Sequence, residues 1–214
     1  QWNDTIAAMS SKVKESLPQR FQRRCKVVGD LMADLNEFAT DKETLPAGQW
    51  IALMPGSKKA KLCVGVPFFL EVADQLKELL PECNFLLPIA PTTTITEIEA
   101  YASFQNPIAR KYKSKIIKTL DNNETYPWKR FITSNGNEIN LIETSPAHTY
   151  IAQCNLALTT IGANTAELGA LCVPMIVVVP TQHLSVMQAW DGVMGLLCTI
   201  PGFKRVIGLL VWGW

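Results

Sequence analysis

Long apolar runs are missing from this sequence. No stretch reaches the ~18 consecutive apolar residues that a membrane-spanning helix needs, so a spanning segment is not expected. An apolar segment behind a basic start is also lacking, so no secretory signal is expected. Charge of one sign is absent as well: the formal net charge is +1, and nothing in it calls for a nucleic-acid partner. Histidine is limited to His148 and His183. The cysteines, at 25, 63, 83, 154, 172 and 198, form no C-x-x-C pair and have no histidine at ligand spacing. A metal centre needs closely spaced ligands, so neither a metal nor another cofactor is expected, and the thiols read as reduced and buried in a cytoplasmic protein. The G-x-x-x-x-G-K-[ST] phosphate loop is also absent.

The chain does carry enough apolar residues for a core, 48% against 18% charged, over a length that fits one large domain or two small ones. Basic residues gather in Lys12–Lys26 and Arg110–Lys118, which read as solvated faces, with attraction to anionic lipid as the alternative. The sequence opens on Gln1 and closes on an apolar VWGW, and from this we expect a piece of a longer protein. Residues 1–24 look helical and amphipathic up to Pro18. The stretch 26–35 reads as a short apolar run, a glycine and a helical turn, and 36–49 as a linker. From there strands and helices alternate. Strands are expected at 50–54, 84–89, 156–160 and 175–179. Helices are expected at 66–81 with Pro67 in the first turn, at 94–104 capped by threonine, at 145–154 with Pro146 at its first position, at 164–172 and at 184–195. Residues 106–128 read as a polar surface insertion, and 129–143 as a hairpin around Asn135-Gly136-Asn137. This rhythm predicts an α/β fold: a Rossmann-like, three-layer domain with one mainly parallel sheet.

Two turns have residues suited to a ligand. Pro55-Gly56-Ser57-Lys58-Lys59 follows a buried strand; Gly56 admits close backbone approach, Ser57 offers a hydroxyl, and the lysines offer positive charge, which together suit a phosphate at a helix N-terminus. A plain strand-to-helix loop with exposed lysines fits as well. In the second turn, Gly162 and Ala163 leave backbone N–H groups accessible, and Asn164 and Thr165 either cap the helix or donate to a ligand. Glu167 follows Asn164 at capping-box spacing, yet a carboxylate one turn into a helix also suits two ribose hydroxyls; spacing leaves both roles open.

The segments LMPGSKKAK, CNLALTTIGANTAELGALCVPMIVVVP and VVGDLMADL, spread over residues 26–200, resemble the C-terminal half of lipid-A-disaccharide synthases. That family has P-G-S-R-x-x-E after a leucine-rich strand, S-G-T-A-T-L-E before a small-residue helix with V-P-M-V-V, and V-G-H-P-L-x-D at the domain entry. The likeness is greatest to a synthase-related branch in photosynthetic bacteria. PTQHLSVMQAWDG (180–192) is similar to a stretch of the peptidoglycan N-acetylglucosaminyltransferase. Both families have the two-domain GT-B fold with a UDP-N-acetylglucosamine site in the C-terminal domain. The resemblance therefore implies that residues 1–35 lead in from another domain and that 36–214 form the UDP-sugar-binding half. It implies a nucleotide-sugar site at Gly56, Ser57, Lys58, Gly162, Thr165, Glu167, Gln182 and Gln188, with Glu167 on the ribose. Ala163 and Asn164, read from the second turn itself, join that site, as does His183, which reads as a sugar ligand or general acid or else as a cap or surface residue of its loop. Departures stand at Lys61 in place of glutamate, Asp30-Leu31 in place of His-Pro, and Ile161 in place of serine.

The function so implied is the donor half of an inverting hexosyltransferase acting on a lipid-linked acceptor. The catalytic base would come from the other domain, leaving this chain alone inactive. The alternatives are a UDP-N-acetylglucosamine 2-epimerase-like enzyme and a non-catalytic interaction protein. His148 reads as a helix-face residue, and Trp190 as core. The terminal stretch 195–214, with Phe203, Lys204, Arg205, Trp212 and Trp214, has the composition of a peripheral contact with the inner face of the cytoplasmic membrane.

Overall fold

The computed structural model describes residues 5–30, 32, 35, 44–123 and 127–181. Its main body is one seven-stranded sheet. In chain order the strands are β3 (Gln49–Met54), β4 (Cys83–Pro88), β5 (Ile116–Leu120), β6 (Lys129–Thr133), β7 (Glu138–Ile142), β8 (Leu156–Thr160) and β9 (Met175–Val178). Their order across the sheet is β5-β6-β7-β4-β3-β8-β9. The strands from β7 through β9 run parallel, and β5 and β6 add an antiparallel edge.

Alternate residues of the central strands feed two cores. One face packs Ile51, Leu53, Phe85, Leu87, Ile139 and Leu141 under α3 (Lys59–Leu79) and α4 (Ile95–Ala102). The other packs Trp50, Ala52, Met54, Leu86 and Ala157 under α5 (His148–Ile151) and α6 (Ala163–Ala170). Burial on both faces explains why these strands are nearly continuous apolar runs. The four strands expected to share a sheet do so, and the Rossmann-like, three-layer reading stands. The hairpin is present too, with Gly136 at φ 79°, in the left-handed region its turn requires. Thr94 caps α4 through a full capping box with Glu97. No helix among the described residues is long and apolar enough to cross a membrane.

Several segments differ from the sequence reading. Ile6–Ala8 forms β1, paired in parallel with β2 (Cys25–Val27), with α1 (Ser11–Ser16) and α2 (Gln19–Gln22) between them. Ile6 and Ala8 therefore serve a strand face, not the expected helix. The stretch 106–128 holds β5, whose half-exposed edge position dilutes the apolar pattern. Pro146 precedes α5 on a cis bond to Ser145 and is not its first residue. Of the described cysteines, Cys25, Cys83 and Cys154 are buried and Cys172 is exposed; all are free.

Helix α3 begins well before the expected 66, so Pro67 lies inside it. An interior proline removes the N–H that would bond the carbonyl four residues back, here that of Cys63. Asn106 supplies the missing donor. Its Nδ2 donates to Cys63 O and to Tyr101 O, both at 2.7 Å, and its side chain is buried. The residue expected to open a surface insertion is thus the plug that makes a proline-containing helix possible and ties it to α4. Asn106→Ala would strip two carbonyls of their donor and should lower stability by about 2–4 kcal/mol. Urea unfolding of the two proteins checks this; a loss below about 0.5 kcal/mol would mean that water replaces the amide.

Candidate functional site

Chain connections leave β3 toward β4 and β7 on one side of the sheet, while β8 and β9 lie on the other. The β3/β8 boundary is therefore the topological switch point, where open α/β sheets form a crevice beyond their carboxyl ends. Both glycine turns of the sequence fall there. Parallel pairing of Met54 with Thr159 sets them side by side, and Thr160 Oγ1 donates to Pro55 O at 3.3 Å.

The β3–α3 turn is held by close packing. Gly56 has φ 101°, in the left-handed region. In the second turn of α3, a Cβ on Gly65 would stand 2.8 Å from Pro55 Cβ and 3.0 Å from Pro55 O. Only hydrogen fits between α3 and the turn.

Between the two turns is a hollow of about 90 Å³ lined by Gly56, Ser57, Lys58, Lys61, Thr160, Gly162, Ala163 and Asn164. Lys61 crosses its floor: Nζ donates to Ile161 O at 2.5 Å, and its stem runs along Gly56. Lys58 is the exposed N-cap residue of α3 and has no side-chain cap bond. Gly162 is the N-cap of α6, and Thr165 Oγ1 donates back to its carbonyl at 2.7 Å. Two helix N-termini and two lysines thus meet around a small polar hollow, an arrangement suited to an anion.

The hollow adjoins a cleft of about 200 Å³, sharing Gly56, Ser57 and Asn164 with it. Its other walls include Pro88–Pro91, Thr144–His148 and Glu167. Of the two roles that spacing leaves open for Glu167, the capping box does not form. Glu167 makes no cap bond; its Oε1 accepts from His148 Nε2 at 3.0 Å. Burial raises the Glu167 carboxyl above the usual carboxylate range, and the charge and hydrogen bond of His148 pull against that rise. His148, read as a helix-face residue, is therefore a wall of the cleft and the partner of its carboxylate. Their separation in sequence hid the pairing; only the crossover from β7 to β8 brings α5 beside α6.

Eight of the expected site residues come together at this point: Gly56, Ser57, Lys58, Gly162, Ala163, Asn164, Thr165 and Glu167. Gln182, His183 and Gln188 lie outside the described residues, as do Trp190 and the terminal 195–214 segment. Lys61, noted only as a departure from motif, proves central to the hollow.

Sequence comparison decides the kinship. The chain is 34% identical over 83 residues to the lipid-A-disaccharide synthase of Idiomarina loihiensis, and 30% over 77 residues to that of Histophilus somni. A longer match, 142 residues at 27% identity, joins it to the synthase of Anaeromyxobacter dehalogenans and covers 66% of this chain. The chain is related to lipid-A-disaccharide synthases. It spans only 20% to 29% of the length of these lipid-A-disaccharide synthases. No protein-family model matches it. Among solved structures, a Listeria monocytogenes protein assigned as a UDP-N-acetylglucosamine 2-epimerase superposes with a TM-score of 0.50 at 15% identity, over 97% of this chain and 51% of that one. That likeness concerns the fold.

The packing at the turn can be tested directly. Gly65→Ala would force α3 away from Pro55 and should lower stability by about 1–3 kcal/mol, the usual cost of overpacking. Thermal unfolding reads it; an unchanged midpoint would show that the turn relaxes freely.

Proposed function

We propose that this chain is the donor-binding half of a glycosyltransferase and takes a UDP-sugar at the β3/β8 switch point. The observation that carries this reading is the meeting of an anion-suited hollow and a carboxylate-bearing cleft at one crevice. The diphosphate would sit between the Gly56-Ser57 turn and Gly162-Ala163, facing backbone N–H groups, Lys58 and Lys61. Glu167 would accept hydrogen bonds from the ribose hydroxyls, and the sugar would extend toward the rest of the cleft. The kinship to lipid-A-disaccharide synthases supports UDP-N-acetylglucosamine as the donor and a lipid-linked acceptor, reached at the membrane surface.

Inverting transfer needs a base on the acceptor hydroxyl and stabilisation of the departing nucleotide. The described residues serve the second need. Positive helix ends and two ammonium groups around the diphosphate favour the charge that builds on UDP as the glycosidic bond breaks. The base and acceptor site would come from the half that residues 1–35 lead in from, so the isolated chain binds donor without turning it over. An epimerase reading shares the fold, but no feature of the site favours it.

Calorimetric titration of the chain with UDP and with uridine tests the proposal. Glu167→Ala should weaken both by about 2–4 kcal/mol through loss of hydrogen bonds to a charged acceptor. Lys61→Glu should weaken UDP by at least about tenfold and leave uridine nearly unchanged, because only UDP places charge in the hollow. Equal losses for both ligands would remove Lys61 from the phosphate seat, and a chain that binds neither would sink the donor-site reading.

A further inference from the structure

We infer that His148 is a positioning residue for the nucleoside: it holds Glu167 ionised and aimed so that the carboxylate can receive the ribose hydroxyls. The inference rests on the donor-site reading and adds a residue to it. Glu167 lines the cleft from α6, and its side chain is about one-fifth exposed, at 21%. A carboxyl so placed tends toward its neutral form, which would donate a proton where the ribose also donates. His148 Nε2–H opposes this through the 3.0 Å bond to Oε1, which favours the carboxylate whether or not the ring carries a second proton. One such bond leaves acceptor sites to spare, since an ionised carboxylate can accept about four. Two ribose hydroxyls therefore need not displace the imidazole.

Nδ1 of His148 is buried and meets no hydrogen-bond partner among the described residues, so Nε2 carries the ring's polar contact with the carboxylate. The other titratable groups on surrounding elements are Lys58 and Lys61 on the β3–α3 side, Tyr150 and Cys154 from α5 and its end, Cys172 beyond α6, and Glu143 after β7. Glu143 is held by Lys129 at 3.2 Å, and burial pushes the Cys154 thiol up to about 12. Apart from burial, His148 is the influence that sets Glu167.

The sign follows. Nucleoside binding needs the carboxylate, so it is present at high pH and fades as pH falls through the Glu167 pKa. Burial already places that pKa above the ordinary range, and removing His148 raises it further. UDP affinity should be measured by calorimetry at two pH values, one near the midpoint of the Glu167 titration and one well above it. His148→Ala should bind roughly five- to tenfold more weakly than wild type at the lower pH and within about twofold of it at the higher. The variant-to-wild-type ratio cancels the titration of the ligand's own phosphate. His148→Gln, which keeps an N–H donor, should recover part of the loss at the lower pH. A purely structural role would give the same loss at both pH values, and that result would overturn the inference.

A ligand-free arm separates this idea from the donor-site reading. The Glu167 carboxyl carbon, followed by NMR in the whole chain, should titrate at higher pH in His148→Ala than in wild type. An unmoved midpoint would overturn the role of His148 even if UDP binds. A moved midpoint with no UDP binding by wild type would instead sink the donor site, and with it the ribose as ligand.

Discussion

The parallel pairing of β3 with β8 is the constraint on which the rest of the structure depends. Neither glycine turn is a site by itself: each is a strand-to-helix connection of a common kind. Pairing Met54 with Thr159 places both at one level of the sheet, so that α3 and α6 begin within reach of a single small ligand. The bonds around the pairing fix that level. Thr160 hydroxyl reaches Pro55, and Lys61 ammonium reaches Ile161, each from one turn to the other. A one-residue slip of β8 would bring Leu158 or Thr160 to face the wrong core and would part the turns, so the apolar faces of the sheet also guard the geometry of the crevice.

Much of this was legible in sequence because it rests on local patterns. Buried parallel strands are contiguous apolar runs, and β3, β4 and β8 could be read from them; β9 is an apolar run too, though at the sheet edge with Ile176 and Val177 exposed. Asn135-Gly136-Asn137 announces its hairpin, and Gly56 announces a turn by the conformation that only glycine takes cheaply. What was not legible depends on partners distant in the chain. Pro67 argued for a later helix start, and only Asn106, buried against Cys63, reverses that argument. β5 sits on the antiparallel edge, where Ile117 and Lys118 face solvent and none of its residues is fully buried, so its pattern blurs into the basic run around it. Ile6–Ala8 was read with the helix that follows because three apolar residues carry no period of their own.

The site divides along the same line. Its glycines and small polar residues are local features, visible as motifs. Its electrostatics are not local. Lys61 was a departure from a family pattern until the fold laid it across the second turn, and His148 was an unremarkable residue until α5 came to rest beside α6. Both contacts join segments far apart in sequence, and both concern charge. Spacing rules describe which residues share a helix face, but say nothing of which helix will face it.

A half-buried carboxylate such as Glu167 is costly to keep, since leaving water favours its neutral form. A fold selected only for stability could place an apolar side chain at position 167, beside Leu168, which α6 buries in the core. The chain instead carries a carboxylate there and a histidine opposite, two polar groups that must satisfy each other to be tolerated. The same economy appears at Lys61, whose ammonium is held by a carbonyl at the base of a hollow lined with backbone and small side chains. A basic group and an acidic group are thus kept at the two ends of one crevice, separated by the shared wall of Gly56, Ser57 and Asn164. Packing alone has no use for that polarity along the crevice; the donor proposed for it, with a charged end and a hydroxylated end, would.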